Sequence, residues 1–289
     1  AAPPALPSAG GTAPQGSGAN AGLSGKMVFQ SGGSVESLSL SNGGVSTVPV
    51  NGSASYPFVS PDGSLLALVQ SASGAANTVV TLQKLDGTVQ GGFSSAQGFL
   101  GAPKLAPGNQ SLAIYYLGSS SSNAGKPIVG TYGVSGSAGP GFLSASEYSW
   151  LPDGRLALAG LNLLAQSTDA TLAKLQALAT LSDQITGLAA SPDGSTLAFA
   201  LAGHVWTIHD DGSALKQLTV SGAEEAQPAW SPDGKYVAVQ YAGTCPTLVV
   251  VPADGQRVFI GNAAVSSTAL TVSGNGKAGV CANSDVSWR

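Results

Sequence analysis

The sequence is short of charge. Asp, Glu, Lys and Arg make up 9% of its 289 residues, against about 25% in an average soluble domain. The 11 basic residues are scattered and the net charge is −4. No Lys/Arg cluster is present to displace counterions from a phosphate backbone, so a nucleic-acid partner is not expected. Long apolar runs are missing as well. The most apolar stretch, 156–165, is broken by Gly160 and Asn162. Nothing approaches the ~20 residues of a membrane-spanning helix, and no transmembrane segment is expected. Histidine occurs only at positions 204 and 209. On a strand these two point to opposite faces, and no third ligand stands beside them, so no metal site is assigned. No Gly-x-Ser-x-Gly pentapeptide marks a serine nucleophile. No catalytic residue and no cofactor is assigned either.

Cysteine is limited to Cys245 and Cys281, which allow one pairing. The favoured reading is a disulfide formed in an oxidising compartment; two buried free thiols are the alternative.

Glycine is plentiful at 40 residues, and Ser, Ala, Val and Leu are spread over many short segments. This is the composition of a turn-rich β chain. Residues 1–25 carry no charge, and 20 of them are Ala, Gly, Pro or Ser. Such a segment has too little apolar bulk to offset its ordering entropy, so it is expected to be a disordered tether. A tether behind a processed N-terminus suits a protein exported to a bacterial envelope.

The dominant signal is a repeat in 26–289. Ser60-Pro61-Asp62-Gly63 recurs at 191–194 and 231–234, with Leu151-Pro152-Asp153-Gly154 as a variant. Degenerate copies stand at 106–109 and 273–276. Starts at 60, 106, 151, 191, 231 and 273 give spacings of 46, 45, 40, 40 and 42. In each copy Pro presets φ, Asp caps the turn and Gly accepts positive φ. A short strand with a Leu-Ala-apolar core follows, as in Leu66-Ala67-Leu68 and Leu197-Ala198-Phe199. A second turn, such as Asp86-Gly87 or Asp254-Gly255, completes two hairpins per period. Residues 161–183, where leucines could also mark a helix face, are read as strands because their unit is no longer than its neighbour.

The expected fold is therefore all-β: a six-bladed propeller of four-stranded antiparallel blades, with seven blades as the alternative. Strands near 26–29, 34–41 and 45–50 are expected to complete the C-terminal blade. That blade is expected to hold an innermost strand near 267–272 and a second near 277–282. Such closure removes exposed edge strands.

The runs Trp230-Ser-Pro-Asp-Gly-Lys-Tyr-Val-Ala-Val239 and Val205-Trp-Thr-Ile-His-Asp-Asp-Gly-Ser-Ala-Leu-Lys-Gln-Leu-Thr219 resemble the repeat of TolB-type propellers. The resemblance spans roughly 26–289. It implies the fold and is unspecific for function, because the repeat also occurs in other envelope proteins and in propellers of prolyl-oligopeptidase-like enzymes. The separate N-terminal α/β domain of TolB has no counterpart here.

Seven of the 11 Asp residues precede a turn Gly and are read as caps. Propellers bind at a mouth of the central channel, and the residues four before each turn motif are Tyr56, Ala102, Glu147, Gly187, Gln227 and Ala269. Tyr56, Glu147 and Gln227 are the mouth candidates, with Tyr148 and the Glu224-Glu225 loop pair beside them. Cys245 and Cys281 are expected on equivalent strands of adjacent blades. The leading functional expectation is a non-catalytic scaffold that binds protein partners in the envelope through one propeller face. A structural subunit of a surface layer or larger envelope complex is the second reading. A small-ligand-binding or lyase-like propeller using the channel mouth is the third.

Overall fold

A computed structural model describes residues 20, 22–71, 78–96, 98–260 and 269–289. The described residues form strands and turns, with no helix. Six four-stranded antiparallel sheets follow one another. Their innermost strands are neighbours in cyclic order, so the sheets close into a ring around a channel.

Blade 1 joins Lys26–Ser31, Ser34–Ser39 and Val45–Thr47 to the C-terminal strand Ser287–Trp288, which lies innermost. Blade 2 runs from Ala54–Val59 to Val89–Ser95, blade 3 from Lys104–Leu105 to Ala138–Leu143, and blade 4 from Glu147–Trp150 to Leu175–Thr180. Blade 5 runs from Ile185–Ala190 to Lys216–Gln217. Blade 6 holds Glu225–Trp230, Tyr236–Tyr241, Thr247–Pro252 and Leu270–Thr271. The stretch 161–183 holds two strands, Leu163–Ser167 and Leu175–Thr180, and no helix, as its unit length indicates. A parallel pair, Thr219–Val220 with Val258–Phe259, ties the outer parts of blades 5 and 6.

The recurring Leu-Ala-apolar core has a direct packing meaning. Side chains alternate across a strand, and the buried residues fall into six clusters, one per blade–blade interface. Leu156 and Leu158 face blade 3, whereas Ala157 and Ala159 face blade 5. Leu197 and Phe199 face blade 4, and Ala198 faces blade 6. Blades 2 to 6 thus present large side chains backward and alanines forward, and blade 1 presents Met27 and Phe29 backward and Val28 forward. Large meets small at every such interface, which lets neighbouring sheets interlock.

The turn motifs are closed by their own side chains. Ser60 Oγ donates to Asp62 Oδ1 (2.6 Å) and accepts from Leu65 N (3.0 Å). Ser191 and Ser231 repeat both bonds. The Ser60 hydrogen bond, with those from Ser64 and Asn109, holds the Asp62 carboxyl well below the usual carboxylate range. Between blades, Trp150 Nε1 donates to Lys104 O (2.9 Å) and Trp230 Nε1 to Ala189 O (3.1 Å).

The ring is closed differently from the sequence expectation. Leu270–Thr271 is the outermost strand of blade 6, not an innermost one. Ser273–Gly274 and Lys277–Ala278 form a separate two-stranded hairpin. The strand that closes the ring is Ser287–Trp288, paired to Met27 and Val28. Its bonds mark it as a true repeat strand. Ser287 Oγ accepts from Val59 N (3.0 Å), as Ser149 Oγ accepts from Ala190 N (2.9 Å).

Cys245 and Cys281 are disulfide-bonded, with Cα atoms 5.5 Å apart. They do not sit on equivalent strands of adjacent blades. Cys281 lies beside Thr247, the first residue of a blade 6 strand, so the bridge pins the returning segment to blade 6 just before it supplies the closing strand. Of the tail expected over 1–25, residues 1–19 and 21 lie outside the described residues. Asn20 exchanges two side-chain hydrogen bonds with the Ser273 backbone, and Leu23 is buried in the blade 6–blade 1 core.

Candidate channel site

The residues four before each motif do line up around the ring, with one replacement. The closing strand ends at Trp288, so the sixth equivalent position is Asp285 and not Ala269. The ring of positions is therefore Tyr56, Ala102, Glu147, Gly187, Gln227 and Asp285, one per blade.

Three of these share an unusual backbone. Tyr56 (φ 55°), Gly187 (φ 70°) and Gln227 (φ 50°) are left-handed. Each sits where the innermost strand slips register against its neighbour, between Ser55/Phe58, Thr186/Leu188 and Ala226/Ala229. Such bulges re-aim a side chain. At Gly187 a Cβ would lie 2.9 Å from Gln227 Cα, so glycine is required there. Tyr56 and Gln227 adopt the same conformation with side chains that disfavour it.

Lys104 is the residue that sequence reasoning missed. It is 7% exposed, and its side chain crosses the channel. Nζ donates to Tyr148 O in blade 4 (3.0 Å) and Leu188 O in blade 5 (3.3 Å), and lies 3.4 Å from Asp285 Oδ2 in blade 1. It also sits 5.0 Å from the Tyr148 ring centroid. One ammonium therefore joins four blades across the channel.

Glu147 is half-buried near this pair. Burial pushes its carboxyl up to about 7; Lys104 opposes the shift and Asp285 adds to it. The folded state resists ionisation. Stability from this group is fully present below pH 4.5 and is lost as pH rises through 7. Glu147→Gln is expected to be about 2 kcal/mol more stable than wild type at pH 8, and similar at pH 4. Urea denaturation at the two pH values measures this; equal gains at both would contradict it.

Tyr148 does not face a mouth. It is 3% exposed; its hydroxyl donates to Ala102 O (2.6 Å) and accepts from Tyr115 N (3.2 Å). Burial pushes the phenol up. The Glu224-Glu225 pair is not a solvated loop pair. Glu224 is exposed, but Glu225 starts a strand and is buried, with Oε2 accepting from Thr219 Oγ1 (2.5 Å) and 3.2 Å from His204 Nδ1. Glu224 precedes the strand and faces solvent, while Glu225 within it turns inward. His209 is exposed at the end of its strand, His204–His209, and not in the turn that follows.

On the motif side of Lys104 lies a partly open cavity of about 270 Å³. Pro61, Pro107, Pro152, Pro192 and Pro232, from five of the six turn motifs, form its rim. Phe58, Trp150 and Trp230 line it, together with Lys104, Gln227 and Asp285.

No protein-family model matches the sequence. Among solved structures, the chain is similar to a putative TolB from Agrobacterium tumefaciens, at 18% identity and a TM-score of 0.62, over 83% of this chain and 89% of that one. It is similar to TolB from Acinetobacter baumannii at 19% identity and a TM-score of 0.61, over 80% of this chain and 62% of that one. Hydrazine synthase from Kuenenia stuttgartiensis matches at 16% identity and a TM-score of 0.53, over 78% of this chain and 72% of that one. At these identities the likeness speaks to the fold alone. The chain has the six-bladed propeller fold found in TolB proteins.

Proposed function

We propose that the protein is a non-catalytic interaction scaffold of a bacterial cell-envelope or exported assembly. It binds a partner protein through the residues four before the turn motifs, chiefly Tyr56, Glu147 and Gln227. The observation that carries this reading is the paired strain at Tyr56 and Gln227, left-handed at the same position of two blades. Left-handed backbone costs an L-residue about 1–2 kcal/mol, and such strain collects at functional sites. Lys104 crosses the channel, which favours contact at a mouth over passage through the ring. The Cys245–Cys281 bridge supports an oxidising, exported location.

The test is affinity capture from the envelope fraction of the source organism, with wild type and Gln227→Gly as baits. Glycine accepts the φ of 50° without strain, so the variant is expected to be about 1 kcal/mol more stable than wild type. It is also expected to lose the stoichiometric partner that wild type retains. A wild-type bait with no partner, or a variant that keeps it, overturns the reading.

A further inference from the structure

The motif-side cavity shares Gln227 with the proposed partner site but not Tyr56 or Glu147, and it holds a cation that the scaffold role leaves unused. Arg289 lines it and is half-buried. Nε donates to Ser60 O (3.2 Å) and one terminal nitrogen to Trp288 O (2.8 Å). Its guanidinium carbon stands 5.7 Å from the Phe58 ring centroid. Among the described residues no Asp or Glu side chain pairs with it within 4.0 Å, whereas Lys104 in the same cavity is paired with Asp285. Burial lowers Arg289 to about 10, so desolvation acts on it without the opposing effect of an anion.

A guanidinium has five N–H donors in a planar fork that matches a carboxylate. Two of the five are used by backbone carbonyls that fix the plane of the fork. The walls beside it are apolar and aromatic: Phe58, Trp150, Trp230 and the proline rim. We infer that this cavity is a binding site for a carboxylate joined to a compact apolar body, with Arg289 holding the carboxylate and the aromatic wall covering the body. The carboxylate can belong to a small free acid or to the end of a peptide chain; both present the same group to the fork.

The full chain is titrated with hexanoate and, as control, with hexanamide, by calorimetry and by tryptophan emission. Two of the four tryptophans, 150 and 230, lie in the wall, and Trp288 lines the cavity as well. Saturable hexanoate binding is expected, at least about tenfold tighter than hexanamide, because the charge-assisted pair is lost with the amide. Arg289→Gln should remove that preference and Arg289→Lys retain part of it. The same comparison with Ala-Ala-Ala-Leu, as free acid and as C-terminal amide, separates the sources. Tighter binding of the peptide acid than of hexanoate assigns the site to chain ends, and the reverse assigns it to small acids. Equal binding of acid and amide, no saturable binding of either acid, or full hexanoate preference in Arg289→Gln would overturn the inference. The acid–amide comparison on wild type stands even if the variants fold poorly. Failure here leaves partner capture untouched, because these titrations read small acids through Arg289, whereas capture reads a protein partner and varies Gln227, which also lines the cavity.

Discussion

Replacing Cys245 and Cys281 together by alanine is expected to lower the unfolding free energy by about 4 kcal/mol. The bridge closes a loop with a sequence separation of 36, and the chain-entropy model gives about 4 kcal/mol for a loop of that length. Domains are stable by only about 5–15 kcal/mol, so this is a large share. The position of the bridge adds to its effect. Cys281 is six residues before Ser287, the start of the strand that closes blade 1. Without the bridge, the returning segment is held to blade 6 by backbone bonds such as Leu248 N to Val280 O (3.1 Å) and Ala282 N to Pro246 O (2.9 Å). Release of that segment exposes the Lys26–Ser31 edge and the last interface of the ring. Urea unfolding of wild type, with and without reductant, and of the double variant measures the loss. A difference below about 1 kcal/mol would mean that the ring closes without the bridge.

Lys104→Met is expected to cost about 3 kcal/mol, the scale of breaking a buried ion pair by removing one partner. Methionine fills most of the volume of the lysine stem, so the loss is polar. Tyr148 O and Leu188 O lose their donor, and Asp285 loses its cation. Asp285 is the more exposed partner, with 24% of its side chain accessible, which keeps the figure at the lower end of that range. A double-mutant cycle with Asp285→Asn isolates the pair. The double variant is expected to lose clearly less than the sum of the single losses. Strict additivity would mean that the two groups do not interact across the channel.

The parts of the fold legible in the sequence are those whose chemistry is local. Ser60, Asp62 and Gly63 close their turn within six residues, so the motif announces itself wherever it occurs. The Leu-Ala-Leu alternation is a period-2 signal on one strand, and it became the large-against-small packing of each interface. The same locality misled at Ser273-Gly-Asn-Gly276. Asn275 (φ 48°) and Gly276 (φ 75°) form a tight two-residue hairpin, and that chemistry is the same whether or not a blade begins there. The true closing strand, Ser287–Trp288, lies beyond the last motif copy at 273–276. The match of Ser287-Trp288 to Ser149-Trp150 was the available signal.

The site was less legible because its bonds are not local. The positions four before the motifs were readable from spacing, but their conformations were not. Lys104 is isolated in sequence from the carbonyls it joins, 44 and 84 residues away. Asp285 acquires its role only once the closing strand is placed. Glu224 and Glu225 look equivalent as neighbours, and only the start of the strand at Glu225 decides which of them turns inward.

The most direct measurement is the affinity of the captured partner for wild type and for Gln227→Gly, both shown to be folded by near-ultraviolet circular dichroism. The account predicts a loss of about tenfold or more in the glycine variant, the effect of removing a contact worth about 1.4 kcal/mol, together with unchanged or higher stability. Equal affinity for the two proteins would contradict it, because the strained position would then serve no partner.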